Sequence, residues 1–113
     1  MSSLRAPVAV PVEVRAPAGV DGRRVFRLAA SVGEDGVRLD RAAPFEIGRP
    51  VEVRFALPSG PVVALRAEVL HADGDDEQLN EGAGGRELTF IEPPGEARAA
   101  IGAYVRARLG LPA

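Results

Sequence analysis

The chain has no cysteine, no lysine and no tryptophan, and only one histidine, one methionine and one tyrosine among its 113 residues. Without cysteine there is no disulfide, no thiolate metal cluster and no thiol nucleophile. A lone His71 excludes a multi-histidine metal site and a histidine-based triad, and leaves any histidine chemistry solitary. No stretch approaches the run of apolar residues a membrane span needs. The start, Met1-Ser2-Ser3-Leu4-Arg5-Ala6-Pro7, has no apolar segment behind a basic residue, so no secretory signal is read there. The expectation is a cytoplasmic protein with no membrane insertion.

Excess positive charge is absent too. Fourteen basic residues against sixteen acidic ones leave a net charge of −2, which argues against nucleic-acid binding driven by bulk charge. Every basic residue is arginine, and 13 glycines and 10 prolines accompany them. That combination reads as a coding bias and points to no chemistry. Residues 1–70 hold 10 arginines and 8 acids, whereas residues 71–113 hold 4 and 8. This asymmetry favours docking to other proteins or self-association.

What is present is alternation. Val8, Val10, Val12 and Val14 alternate with Ala9, Pro11, Glu13 and Arg15, as on a strand with one buried face. Pro11 lacks a ladder donor and predicts an edge or a bulge. A second strand is expected from Arg23 to Ala30, with Val25 and Arg27 opposite Phe26 and Leu28. Ser31-Val32-Gly33-Glu34-Asp35-Gly36 reads as a tight turn whose glycines take positive φ, and Val37-Arg38-Leu39 as a third strand. Val51, Val53, Phe55 and Leu57, then Val63, Leu65, Ala67 and Val69, form a long hairpin about Pro58-Ser59-Gly60-Pro61. Glu87 to Ile91 makes a sixth strand. Ile101, Tyr104, Val105 and Leu109 recur at helical spacing, with Glu96 early and Arg106 and Arg108 late, between Pro94-Gly95 and Gly110. The fold class is therefore all-β with one helix. It is a six-stranded antiparallel β-barrel in a single domain of residues 1–113, with the barrel over about 8–91 and a C-terminal α-helix over about 95–109.

This order of elements resembles the PilZ domain of bacterial signalling proteins. VEVRFALPSGPVVALRAEV is similar to the family's fourth and fifth strands around a Leu-Pro turn, and RELTFIEPPGEARAAIGAYV to its last strand and closing helix. The resemblance implies a cyclic di-GMP site built from an RxxxR segment and a [DN]xSxxG turn. Two arginine forks would pair with phosphate or guanine acceptors, and a carboxylate would accept from guanine donors. Aligning Gly36 with the last glycine of the turn puts its acidic position on Ser31 and its serine position on Gly33. The two arginine positions then fall on Arg5 and Ala9, so only Arg5 and Gly36 are kept. Ser31 carries no charge and Ala9 no donor. Arg23 to Arg27 formally satisfies RxxxR, but it lies inside the second strand and reads as coincidence.

The remaining candidates read plainly. Arg5 without its partner is expected as a solvated residue on a frayed terminus. The run Asp73-Gly74-Asp75-Asp76-Glu77 lacks the spacing of a calcium loop, having Gln78 and Gly84 where Gly and Glu are required, and reads as a solvated hairpin tip or an acidic partner contact. His71 reads as a surface residue, Tyr104 as core with its hydroxyl at the rim, and Gly82-Ala83-Gly84-Gly85 as a loop. No nucleophile, base and orienter assemble, so the expectation is not an enzyme, with no metal and no cofactor; cyclic di-GMP is not favoured. The resemblance then implies an adaptor in motility, type IV pilus function or second-messenger signalling that binds a protein partner. The alternative is a cyclic di-GMP receptor using Arg5, a second arginine such as Arg23 or Arg38, and the Gly33 to Gly36 turn. A homodimer, through the helix's apolar face, stays open.

Overall fold

Valine at every second position becomes strand over most of the chain, because branched side chains fill a half-buried pleat, whereas Val8 and Val10 fall between two strands. The computed structural model describes residues 4–17, 24–45, 47–58, 60–70 and 86–112. Within them the strands are β1 (Arg5–Pro7), β2 (Pro11–Arg15), β3 (Arg24–Gly33), β4 (Gly36–Leu39), β5 (Pro50–Ala56), β6 (Val62–Leu70) and β7 (Glu87–Phe90), followed by helix α1 (Gly95–Arg108). Every pairing is antiparallel, and the ring β2-β3-β4-β7-β6-β5 closes back on β2. Closure removes the free edges that a sheet of this size would otherwise expose.

The barrel has six strands although seven segments occur, because β1 and β2 lie end to end along β3. Pro7 faces Ser31 and Pro11 faces Leu28, so three residues of one strand oppose two of the other. The join is held by Val8 N–H to the Ala30 carbonyl at 3.2 Å and Ala29 N–H to the Val10 carbonyl at 2.9 Å. This is a bulge, and Pro11 sits where the ladder needs no donor from it. The sheet thus begins at Arg5, earlier than the expected Val8.

Inward positions follow the alternation. Val12, Val14, Val51, Val53, Leu65, Val69 and Leu88 are buried in one core, each contributing about 1.5–3 kcal/mol by burial. Phe45 and Ile47, from the connection before β5, pack against its margin. Gly48, at φ 87, turns that connection and donates to the Val69 carbonyl at 2.7 Å. The hairpin turn is closed by Leu57 N–H to Pro61 and Gly60 N–H to Leu57, at 3.1 and 2.9 Å.

Helix α1 buries Ala97, Ile101, Gly102 and Val105, and the Tyr104 hydroxyl donates to the Pro7 carbonyl at 3.0 Å. Most of its apolar face is therefore packed on the barrel, against β1, β3 and β6, while Leu109 at its end stays exposed. Among the described residues no helix is long and apolar enough to cross a membrane. His71, Asp73 to Glu77 and Gly82 to Gly85 lie outside the described residues, as does Arg23.

Candidate functional site

The sequence places Arg5, Ala9, Ser31, Gly33 and Gly36 in one motif register. Arg5 lies on β1, Ser31, Gly33 and Gly36 on the β3–β4 hairpin, and Ala9 in the join between β1 and β2. Arg5 faces Gly33, Gly33 faces Gly36, and Gly36 faces Thr89, a single row across four strands. Along this row the Arg5 side chain runs over the two glycines. A Cβ on Gly33 would lie 2.8 Å from Arg5 Cδ, one on Gly36 would lie 3.2 Å from Arg5 Nη2, and one on Gly36 would also collide with the Leu88 carbonyl. Close approach, not backbone conformation, is what requires glycine here. The expectation of positive φ at this turn is corrected: among the described residues, positive-φ glycines are Gly48 and Gly110. Strand β3 continues through Gly33, which leaves a two-residue turn of Glu34 and Asp35.

Arg5 is not a solvated residue on a frayed end. Its Nε donates to Asp35 Oδ1 at 3.1 Å and its Nη2 to Glu87 Oε2 at 2.7 Å. Burial by itself lowers the pKa of this guanidinium, but hydrogen bonds and charge from Glu87 and Asp35 together outweigh it and raise it. Arg38 approaches the other oxygen of Glu87 at 3.9 Å, so two arginines share one carboxylate. Asp35 and Glu87 escaped the motif reading because the first lies between motif positions. The second reaches the site only through the pairing of Arg38 with Glu87 across β4 and β7.

The other turn residue is held as well. Glu34 lies between Arg98 and Arg106 of α1, at 3.6 and 3.8 Å, where a Cβ on Gly102 would collide with its carboxylate. The hairpin tip is thus tied to the helix by one acid and to β1 by the other.

Ala9 and Ser31 add little to a ligand site. Ala9 is exposed and Ser31 half-buried, and neither offers a cationic or anionic group. Arg27, from the formal RxxxR match, is engaged elsewhere: its Nε donates to the Ala42 carbonyl at 3.0 Å. Around Ala9 the outer surface is apolar. Phe26 and Leu28 on β3 are 57% and 49% exposed, and Pro7, Ala9, Pro11 and Ala30 are exposed beside them.

The family model for the PilZ domain matches residues 2–107. The chain belongs to the PilZ domain family. Among solved structures, that of the Bacillus subtilis inhibitor of motility (MotI/DgrA) is similar, with a TM-score of 0.69 at 14% identity. The match covers 96% of this chain and 50% of that one, so this PilZ chain spans about half the neighbour's length. No curated protein matches it significantly. The barrel and terminal helix are those of a PilZ domain, and among the described residues no group of three or more acids or histidines gathers that could hold a metal.

Proposed function

We propose that this PilZ domain is a non-enzymatic adaptor in bacterial motility or cyclic di-GMP signalling. It has lost cyclic di-GMP binding at the family site and acts by docking a protein partner. One observation carries the reading: the arginine kept from the motif already has its forks on Asp35 and Glu87. A nucleotide phosphate would have to displace both carboxylates, and Ala9 supplies no second fork to offset that cost.

Where a ligand-binding surface would need donors, the outer face of β2 and β3 presents Phe26, Leu28 and flanking prolines. An apolar patch of this kind marks a protein contact more readily than a nucleotide site. The name of the structural neighbour, an inhibitor of motility, supports the motility setting. The absence of cysteine and the single histidine support adaptor over catalyst.

A second reading is an atypical cyclic di-GMP receptor. It is favoured by Arg5 and Arg38 converging on Glu87, because a ligand that displaced that one carboxylate would meet two guanidinium groups. Calorimetric titration of cyclic di-GMP into the full chain separates the two. The adaptor reading expects no saturable heat, and no difference for Arg5→Ala. Micromolar binding that disappears in Arg5→Ala would replace it with the receptor reading.

A further inference from the structure

A groove of about 360 Å³ lies away from the Arg5 row, on the outer face of β2, β5 and β6. That volume is near the lower end for small-ligand sites, ~300–1,000 Å³. Its floor carries alternating charge. Glu13 faces Arg54, Arg15 faces Glu52, and Glu52 faces Arg66 across the neighbouring strands. The acids are already engaged, however. Glu13 Oε2 accepts from Arg24 at 3.3 Å and Glu52 Oε1 from Arg15 at 3.0 Å. Arg54 and Arg66 are both exposed, and neither has a carboxylate within ion-pair distance among the described residues.

These two arginines flank a small residue. Ala64 lies directly opposite Arg54 and two residues from Arg66 on the same face of β6. The two arginines are diagonal neighbours, about 7–8 Å apart and somewhat closer at Cβ, over an alanine that opens the floor. Two guanidinium forks at this spacing can close on one tetrahedral anion from both sides.

One wall is rigid and largely apolar. Ile91 donates its N–H to the Arg66 carbonyl at 2.9 Å, Glu92 takes φ 42, and Pro93 and Pro94 follow. A non-glycine residue in the left-handed region is a local cost that surrounding structure must support. Glu92 puts one carboxylate at the rim, which repels an anion there and leaves the Arg54–Arg66 side as the anion's place.

We infer that this groove binds a small phosphate monoester, with the phosphate between Arg54 and Arg66 and an apolar body against Ile91 and Pro94. The site is separate from the Arg5 network, and its ligand class differs from a cyclic dinucleotide, whose phosphates are both diesters. Its test uses phenyl phosphate, inorganic phosphate and a short Asp/Glu peptide as probes, titrated at low ionic strength into the full ¹⁵N-labelled chain and followed by NMR. Phenyl phosphate should give saturable shifts at residues of β5, β6 and the Ile91 to Pro94 turn, and bind more tightly than inorganic phosphate. Arg54→Gln and Arg66→Gln should each weaken it by about tenfold, while Arg108→Gln on α1 leaves it unchanged. Shifts that do not saturate, equal weakening by Arg108→Gln, equal affinity for inorganic phosphate, or tighter binding of the acidic peptide would each overturn the assignment.

Discussion

Arg5 Nη2 and Glu87 Oε2 lie 2.7 Å apart, although the residues are 82 positions apart in the chain and their strands are separated by two others. The contact exists because Gly33 and Gly36 clear a path for the arginine over β3 and β4. Glu87 is only 19% exposed, so removing the arginine leaves a largely covered carboxylate with Arg38 at 3.9 Å as its nearest cation. Arg5→Ala should therefore lower stability by about 1–3 kcal/mol in urea denaturation, and Arg5→Lys should restore only part, since an ammonium cannot reach both acids as a fork does. The pH dependence follows from the raised pKa. A cation whose folded pKa is raised stabilises fully below its unfolded value and loses that contribution only as pH rises through the folded one. The gap between wild type and Arg5→Ala should thus stay constant from roughly pH 7 to pH 10 and close only in strong alkali.

The glycines should rank by what a new Cβ meets. On Gly36 it meets the backbone carbonyl of Leu88, which cannot move without shifting β7, whereas on Gly102 it meets the flexible end of Glu34. Gly36→Ala should cost about 1–3 kcal/mol or more. Gly102→Ala should be nearly neutral. It gains about 1 kcal/mol of helix propensity and loses exposed ion pairs worth about 0–1 kcal/mol each. Thermal and chemical denaturation of the two variants tests the order, and a larger loss for Gly102→Ala would contradict it.

If the Arg5 network is what blocks the nucleotide, freeing it should help. Ala9→Arg with Ser31→Asp rebuilds two motif positions, and adding Glu87→Gln removes the charge shared by Arg5 and Arg38 and leaves Arg5 held by Asp35 alone. The triple variant should bind cyclic di-GMP at least about tenfold more tightly than the double variant, read by calorimetry. Gly33→Ser is best left out, because its Cβ would press on Arg5 Cδ.

The outer face of β3 offers a separate handle. Phe26→Glu and Leu28→Glu change exposed positions, so each should alter stability by less than about 1 kcal/mol. Site-specific photo-crosslinking from position 28 in host cells should yield one dominant protein adduct that Phe26→Glu abolishes. A photoreactive group on the exposed Ala103 of α1 should not yield it.

Much of the architecture was legible because it follows alternation. The inward set of β5 and β6 and the buried face of α1 appear as period two and period 3.6 in the chain itself. The closing seam was not, since the pairing of β4 with β7 is a long-range fact that no local pattern encodes. The engagement of Arg5 escapes local sequence for the same reason: its partners are one turn residue and one residue of the last strand. Gly33 and Gly36 were read as turn glycines, although local sequence cannot distinguish a positive φ from a close approach. Ala9 and Ser31, by contrast, need no tertiary information to be read as uncharged positions, because side-chain chemistry alone says so.

The most direct measurement is the side-chain NMR spectrum of Arg-¹⁵Nε-labelled protein at neutral pH, recorded with and without cyclic di-GMP. With Arg5 held by Asp35 and Glu87, its Nε–H resonance should be dispersed, slow to exchange with water, and unmoved by the nucleotide. An Arg5 resonance that exchanges like an exposed arginine, or that shifts saturably as cyclic di-GMP is added, would contradict an internally occupied site.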